Sequence, residues 1–280
     1  MQLCKLRQAD GTSAVAVYQP DQVRVLGNAG SLSSILHAPD PAAVVASLPV
    51  IAAIPTGQAK LLAPIDEQEV WAAGVTYKRS KVAREEESKD VGASRFYDLI
   101  YTAPRPELFF KAPAKRVVGP GGPIRVRRDS RWSVPEPEVA LVVSPALRIV
   151  GYVIGNDMSS RDIEGENPLY LPQAKFYDGS CALGPVVTLG AALPKPAEVT
   201  IKLTIVRGGS AVFEGSTDLA QMARSFEDLV SWLGRETTFP DGVVLLTGTG
   251  VVPPDHFTLA VGDEVVIDVT GIGRLQNKVG

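Results

Sequence analysis

The chain has 280 residues, of which 45% are hydrophobic, so it is long enough to bury a substantial core. Its 28 basic and 31 acidic residues give a net charge of −3, and the one basic cluster, RVRRDSR at residues 125–131, is short and contains an aspartate. This balance argues against nucleic-acid binding.

The N-terminal part of the chain predicts short strands at residues 14–19 and 22–27, followed by a helix at residues 40–48 that Asp40 can cap. Charged residues precede any apolar run, so we expect no signal peptide. The longest apolar stretch, AAVVASLPVIAAIP, contains two prolines and is too short to cross a bilayer. We therefore predict a small α+β domain at residues 1–65 and no membrane role.

From residue 66 onward, the sequence predicts mainly β structure. Turns rich in Gly, Pro and Asp separate these predicted strands: EVWAAGVTY, RVVGP, EVALVVS, IVGYVIGND, GPVVTLG, TIKLTIVRGG, AVFEG, GVVLLTGTG and EVVIDVTGIG. Helical spacing appears at residues 80–90 and 218–234. We expect a catalytic domain at residues 66–280 with a mixed, mainly antiparallel β-roll or sandwich of the α+β class. The two cysteines, Cys4 and Cys181, are too few for a disulfide framework, which favours the cytoplasm.

The predicted strands EPEVALVV and IVGYVIGND carry acidic residues where they meet. Glu136 and Glu138 are two residues apart, so the strand period directs both carboxylates to one face. A hairpin through the turn SPALR places Asp157 opposite Glu136, with Cβ atoms roughly 4.5–5.5 Å apart. Gly155 then faces Glu138, and its missing side chain is expected to leave room for an ion.

Three carboxylates this close repel one another, so a positive charge must compensate them. An all-oxygen ligand set favours Mg²⁺, with Mn²⁺ or Ca²⁺ as alternatives, over Zn²⁺. The only histidines, His37 and His256, argue against an imidazole-rich site. A solvated strand face is the other interpretation of the E-x-E pair. Asp157 favours a site, because it follows an apolar strand and precedes an apparent loop of roughly twenty residues.

Four motifs in order, EPEVALVV, NDMSSRD, PQAKFYDGSCALGP and LLTGTG, resemble the fumarylacetoacetate hydrolase family. The similarity runs from about Trp71 to the C-terminus. It implies the family's β-roll catalytic domain and a homodimer or homotetramer. By motif position, it also implies metal ligands at Glu136, Glu138 and Asp157, an active-site lysine at Lys175, and substrate contacts at Gly248 and Thr249.

Within the family, RDIEGENPLYLPQAKFYDGSCALGP and RPELFFKAP resemble most the sugar-acid dehydratase branch. This implies Mg²⁺-dependent dehydration of a 2-keto-3-deoxy-pentonate, arabinonate or xylonate, to 2,5-dioxopentanoate in non-phosphorylative pentose catabolism. Family hydrolases commonly carry a G-x-N-Y-x-x-H string whose histidine, with a lid glutamate, activates water. Here Thr76 and Ser80 replace the asparagine and the histidine, which disfavours hydrolysis.

Two alternatives remain open at this stage. The first is hydrolysis of a C–C bond in a 2,4-dioxo acid, either an acylpyruvate or a 2,4-diketo-3-deoxy sugar acid, with Glu85 or Glu86 on a lid activating water. The second is a non-catalytic protein that binds sugar acids.

The proposed chemistry assigns roles to particular side chains. A 2-oxo acid can chelate a hard cation, which then acts as a Lewis acid while a proton leaves C3. Lys175 is the candidate base, because an amine in an apolar loop beside a cation is expected to be neutral near neutral pH. Glu107 is the candidate acid for the leaving hydroxyl. A surface lysine and a loop carboxylate are the respective alternatives.

Three further residues, Tyr77, Phe110 and Arg161, are assigned to the substrate site. Arg161 can hold the substrate carboxylate bidentately or can pair with a structural acid. The TGTG segment that contains Gly248 and Thr249 can cradle an anion with its N–H groups, and an ordinary turn is the alternative.

Overall fold

The computed structural model describes residues 1–77, 103–190 and 195–280. Its strands are β1 (Gln2–Arg7), β2 (Ser13–Tyr18), β3 (Gln22–Leu26), β4 (Val50–Pro55), β5 (Leu61–Leu62), β6 (Glu69–Gly74), β7 (Glu107–Pro113), β8 (Pro123–Ile124), β9 (Ser133–Val134), β10 (Pro137–Val143), β11 (Ile149–Asp157), β12 (Ser159–Ser160), β13 (Cys181–Leu189), β14 (Thr200–Arg207), β15 (Ser210–Asp218), β16 (Val243–Leu246), β17 (Glu264–Val269) and β18 (Gly273–Val279). Its helices are α1 (Leu32–Leu36), α2 (Pro41–Ser47), α3 (Arg161–Glu166), α4 (Leu171–Lys175) and α5 (Phe226–Leu233).

Two sheets organise the described residues. Eleven strands form the large sheet, in the order β4-β3-β2-β1-β13-β11-β10-β16-β6-β7 with β5 paired to β1. The small sheet has the order β15-β14-β17-β18-β8, and β9 pairs with β12. Pairing is antiparallel except between β16 and β6 and between β18 and β8. The predicted fold class, α+β with mainly antiparallel β structure, is confirmed.

The main core lies between the two sheets. Val139 and Ile154 of the large sheet belong to the same buried cluster as Leu203, Ile267 and Leu275 of the small sheet. A second cluster covers the opposite face of β10, where Ala140 and Val142 pack with residues of α1. Because both faces of the central strands are covered, β10, β11 and β13 are almost continuously apolar.

The predicted helix at residues 40–48 is confirmed as α2. The Asp40 side chain accepts a hydrogen bond from the N–H of Ala43 at 3.0 Å, and Pro41 occupies the first turn, where its missing N–H costs nothing. The predicted strands at residues 14–19 and 22–27 correspond to β2 and β3.

The first 65 residues continue the large sheet, because β1 pairs with β2 on one side and β13 on the other. Asp66 lies at the end of this segment and accepts hydrogen bonds from Lys5 Nζ at 2.5 Å and from the Ser33 N–H at 2.7 Å. A domain boundary at residue 65 stays a prediction.

Two predicted elements differ from the structure. The helix predicted at residues 218–234 begins only at Phe226, since Ser225 caps α5 by accepting from the Asp228 N–H at 3.1 Å. Before it, Met222 forms a β-bridge with Tyr77, which holds the chain out of a helix. The strand predicted from RVVGP at residues 116–120 is reduced to one bridge, between Val118 and Ala182. The helix predicted at residues 80–90 lies outside the described residues.

Within the described parts of the chain, we find no helix with the length and hydrophobicity needed to span a membrane.

Candidate metal centre and active site

The acidic hairpin adopts the register that the sequence predicts. Glu138 in β10 pairs with Gly155 in β11, and the Asp157 N–H donates to the Glu136 carbonyl oxygen at 3.0 Å. Glu136 therefore lies opposite Asp157, one residue before β10 begins.

The three carboxylates converge in the interior. Glu136, Glu138 and Asp157 each offer an oxygen within 4.8 Å of the others. Their exposed fractions are only 5%, 1% and 1%, which excludes the alternative of a solvated strand face.

Gly155 has a different role from the one expected. A Cβ atom added at Gly155 would lie 2.1 Å from Leu246 Cδ2, so the neighbouring strand β16 fills that space. The expectation that this glycine leaves room for an ion is therefore wrong. Its missing side chain instead lets β16 pack closely beside the acidic hairpin.

The segment after Asp157 is more ordered than the predicted loop, because it contains α3 and α4. Lys175 ends α4 with its side chain 1% exposed. Its Nζ donates to Glu136 Oε2 at 2.6 Å, to Asp157 Oδ2 at 3.2 Å and to Ser159 Oγ at 2.6 Å. The expectation of an apolar setting for this amine is wrong, since carboxylates surround it; the Phe109 ring also lies near it, 5.6 Å from Nζ.

Two buried residues of α3 extend this charged network. Arg161 Nη2 donates to Glu136 Oε1 at 2.7 Å, which matches the second interpretation of this arginine, pairing with an acid of the protein. Glu164 Oε1 lies 3.7 Å from Lys175 Nζ and is 1% exposed. The sequence does not identify Glu164 as a site residue, because RDIEGE carries no spacing that separates a buried acid from an exposed one.

Lys111 in β7 is another charged residue that the sequence analysis missed. Its fully buried Nζ contacts Asp157 Oδ1 and donates to the carbonyl oxygens of Met158, at 2.9 Å, and Lys175. The signal for it was a lysine inside the apolar string ELFFKAP, where the strand period places it on the face of Glu107.

The electrostatics of the cluster differ between its acids. Burial, together with the charges of Asp157 and Glu136, raises the pKa of Glu138 well above its ordinary value, although the Gly248 N–H opposes this. Burial also acts to raise the pKa of Asp157, but Lys111 and Lys175 outweigh it and hold that pKa below its ordinary value. The positive charges of the site therefore lie closer to Asp157 and Glu136 than to Glu138.

The TGTG segment meets the cluster directly. The Gly248 N–H donates to Glu138 Oε2 at 2.6 Å, and Gly248 has φ +93°. Thr76 supports this turn by donating from Oγ1 to the Thr247 carbonyl oxygen at 2.6 Å. Thr249 lines the same small cavity as the carboxylates. Tyr77 is buried nearby, and burial together with the charge of Glu138 raises its pKa.

The two phenylalanines of β7 lie on opposite faces of the strand. Phe109 lines the cavity, which has a volume of about 10 Å³, together with Lys175 and the carboxylates. Phe110 packs edge-to-face on Trp71 and on Phe176, with ring centroids 6.0 and 5.4 Å apart.

Glu107 lies at the start of β7, where it pairs with Gly74 of β6. A Cβ atom added at Gly74 would lie 2.0 Å from Glu107 Oε2, so the missing side chain of Gly74 leaves room for this carboxylate. Contacts of Phe110 and Glu107 with a substrate stay predictions.

This donor set fits a hard divalent cation. All three convergent groups are carboxylates, and Mg²⁺ prefers oxygen ligands. The cross-strand neighbour of Asp157 is Cys181, whose thiol pKa burial raises to about 12, so it stays protonated and offers no thiolate.

Residues 69–280 match the family model described as fumarylacetoacetate (FAA) hydrolase C-terminal. A Haloferax volcanii protein named probable 2-keto-3-deoxyxylonate dehydratase is 50% identical over 216 residues, which cover 77% of this chain and 73% of the relative. The 2-dehydro-3-deoxy-D-arabinonate dehydratase of Saccharolobus solfataricus is 44% identical over 222 residues, covering 79% and 74%. A solved structure of 2-keto-3-deoxy-D-arabinonate dehydratase complexed with magnesium and 2,5-dioxopentanoate superposes with a TM-score of 0.85 at 34% identity, covering 100% of this chain and 98% of the other.

Proposed function

The chain belongs to the fumarylacetoacetate hydrolase family, and on that premise we propose that it catalyses the Mg²⁺-dependent dehydration of a 2-keto-3-deoxy-pentonate, arabinonate or xylonate, to 2,5-dioxopentanoate. One observation carries the proposal. Lys175 Nζ shares a buried site with three convergent carboxylates, 2.6 Å from Glu136 Oε2. A base beside a hard-cation site suits proton removal next to a 2-oxo group.

The relatives support the choice of substrate. The Haloferax and Saccharolobus proteins are named as dehydratases of the xylonate and the arabinonate, and the solved relative holds magnesium together with 2,5-dioxopentanoate. Because a 2-keto-3-deoxy-pentonate keeps C4 as its single stereocentre, the arabinonate and the xylonate of one configurational series are the same compound, and the choice that the assay must make is between the two C4 isomers.

Glu136, Glu138 and Asp157 would hold the cation. A bound Mg²⁺ supplies a Lewis acid for the 2-oxo group, with Mn²⁺ or Ca²⁺ as alternative ions. Arg161 keeps Glu136 in place from the side opposite Lys175, because the two cations bind different oxygens of that carboxylate. The Gly248 N–H holds the Glu138 carboxylate in place by donating to Oε2.

The chain's own groups then move the first two protons of the reaction. Lys175 Nζ takes a proton from C3 of the substrate, and the C4 hydroxyl leaves as water after Glu107 protonates it. Transfer of one C5 proton and of the C5 hydroxyl proton to C3 and C4 then converts the C5 alcohol into the aldehyde, so one water is lost overall. Phe109, whose ring borders the cavity, keeps bulk water from the reacting carbon atoms.

The remaining substrate contacts are proposals of the same kind. Gly248 and Thr249 would bind the carboxylate or 2-oxo oxygen, and Tyr77 and Arg161 would complete the site around the sugar acid. A substrate contact of Phe110 stays a prediction, because this ring lies on the face of β7 opposite the cavity. We further propose that the protein is a homodimer or homotetramer in the cytoplasm. Light scattering on the purified protein tests the oligomeric state.

The decisive assay incubates purified protein and Mg²⁺ with each 2-keto-3-deoxy-pentonate isomer and, separately, with an acylpyruvate. Aldehyde and pyruvate are measured independently. We expect aldehyde formation that a chelator abolishes. Lys175→Ala and Glu138→Ala should each lower kcat by about 100-fold or more, because each removes a group needed in the transition state.

Glu214→Gln serves as the control, since Glu214 is an exposed residue of β15 that pairs with Lys202. It should keep wild-type turnover. Pyruvate release from the acylpyruvate, without aldehyde from either pentonate, would establish the hydrolase alternative. Tight binding of a pentonate without turnover would establish the non-catalytic one. Glu85 and Glu86, which the hydrolase alternative requires, lie outside the described residues.

A further inference from the structure

The buried lysine of β7 has a geometry that links two parts of the site. Lys111 is fully buried, and its ammonium has three N–H donors. It has three partners: it forms an ion pair with Asp157 Oδ1 and donates hydrogen bonds to the carbonyl oxygens of Met158 and Lys175. Each partner belongs to a site residue or to its direct neighbour.

These contacts fix the site at two points that the hairpin does not control. The Asp157 carboxylate is held at Oδ1 by Lys111 and at Oδ2 by Lys175, which fixes the plane of the carboxylate. The main chain of Lys175 is held at its carbonyl oxygen, where the short helix α4 ends. β7 thus connects the hairpin to the segment that carries the base.

From this geometry we propose that Lys111 is a positioning residue of the reaction, which sets the distance between Asp157 and Lys175 without contacting the substrate. The inference rests on the proposed dehydration. A purely structural ion pair is the competing explanation, and the two differ in what they require of the side chain. A charge pair needs only a cation, whereas positioning needs a compact ammonium that reaches three acceptors.

Two variants separate these explanations at saturating Mg²⁺. Lys111→Met removes the cation, and Lys111→Arg keeps the charge but replaces the compact ammonium with a planar fork. We expect both to lower kcat by about 100-fold, as misplacement by about 1 Å can do, while KM changes less than about threefold. Rescue of kcat by Lys111→Arg to within threefold of wild type would overturn the proposal.

Lys5 provides a matched control outside the site. It also donates to an aspartate, Asp66 at 2.5 Å, and to a carbonyl oxygen, that of Ile65 at 2.6 Å. Lys5→Met should lower the unfolding midpoint but leave kcat unchanged. If both Lys111 variants fail to fold while Lys5→Met folds, Lys111 is structural and the proposal is wrong.

Hydrogen exchange on the metal-free proteins gives a readout that is independent of activity. In Lys111→Met, peptides covering residues 156–160 and 171–177 should exchange about tenfold faster, while a peptide in β14 stays unchanged. Equal acceleration throughout the chain would overturn the positioning role. Absence of aldehyde from the wild-type enzyme would instead defeat the proposed function and leave the exchange result intact.

Discussion

Gly248 connects the TGTG turn to the acidic cluster through its backbone N–H. Its φ of +93° suits glycine, and a Cβ atom there would lie 2.0 Å from Thr76 Oγ1. Its N–H holds Glu138 Oε2 at 2.6 Å. We expect Gly248→Ala to lower the free energy of unfolding by about 3 kcal/mol, from backbone strain and overpacking together. Urea denaturation measures this, and kcat should fall because the turn must move away from Glu138.

Gly262 supplies a control with nearly the same backbone conformation. Its φ is +94°, but an added Cβ atom would meet nothing within 4 Å. Gly262→Ala should therefore show only the conformational cost, about 1 kcal/mol, with unchanged activity. If the two variants lose equal stability, the contact with Thr76 contributes nothing.

At the level of residues, the sequence predicted what depends on local periodicity. The strand period placed Glu136 and Glu138 on one face, and the hairpin register brought in Asp157. It did not predict Lys111, because that contact depends on β7 approaching the segment after Asp157 from elsewhere in the chain. The predicted role of Gly155, leaving room for an ion, was wrong for the same reason: the space beside it is filled by Leu246, which lies ninety-one positions later in the chain.

Strand β7 is an element whose two faces have separable tasks. Phe109 borders the cavity, whereas Phe110 packs on Trp71 and Phe176. We expect Phe109→Leu to lower kcat/KM about tenfold, because it changes the shape of the cavity wall.

Phe110→Leu should cost about 1–2 kcal/mol of stability from two lost edge-to-face contacts, with little effect on activity. Steady-state kinetics and thermal unfolding separate the two results. A larger KM increase in Phe110→Leu would favour its predicted substrate contact.

Elements were predictable where caps or turns mark their limits. Asp40 and Pro41 marked the start of α2 correctly. The helix predicted from residue 218 was too long, because periodicity alone cannot show that Ser225 caps α5 or that β15 extends to Asp218. The short helices α3 and α4 were hidden in an apparent loop, since five or six residues are too few for a helical pattern to be visible.

The contact that Asp66, three residues before β6, makes with Lys5 of β1 and with Ser33 predicts a pH effect. Burial acts to raise the pKa of Asp66, but Lys5 and Ser33 outweigh it and hold the pKa below its ordinary value. A depressed folded-state pKa adds stability above the unfolded value of about 4, which is lost as the pH falls through the folded value. We expect Asp66→Asn to cost about 2 kcal/mol at pH 7 and progressively less below about pH 4.

Urea denaturation across this pH range measures the difference. Asp10→Asn is the control, because Asp10 also has a lowered pKa, from its hydrogen bonds with Thr12, but lies at an exposed turn. Its unfolding midpoint should stay near that of wild type. If the stability difference between Asp66→Asn and wild type does not change with pH, the side chain of Asp66 stabilises the segment through its packing and not through its charge.

For the whole molecule, the location of the acidic cluster predicts how a metal stabilises the fold. Glu138 and Asp157 belong to β10 and β11, the central strands that contribute to the cores on both faces of the large sheet. Unfolding either core therefore disrupts the site, and the binding free energy should appear in the global transition. At 100 times the dissociation constant, Mg²⁺ should stabilise the protein by about 2.7 kcal/mol and raise Tm by roughly 5 °C. Scanning calorimetry with Mg²⁺ and with a chelator measures the shift, which Glu214→Gln should retain and Glu138→Ala should lose. If Glu138→Ala shows the same Tm increase with Mg²⁺, the stabilising ion binds elsewhere on the protein. If Mg²⁺ shifts only a separate early transition, the two cores unfold independently.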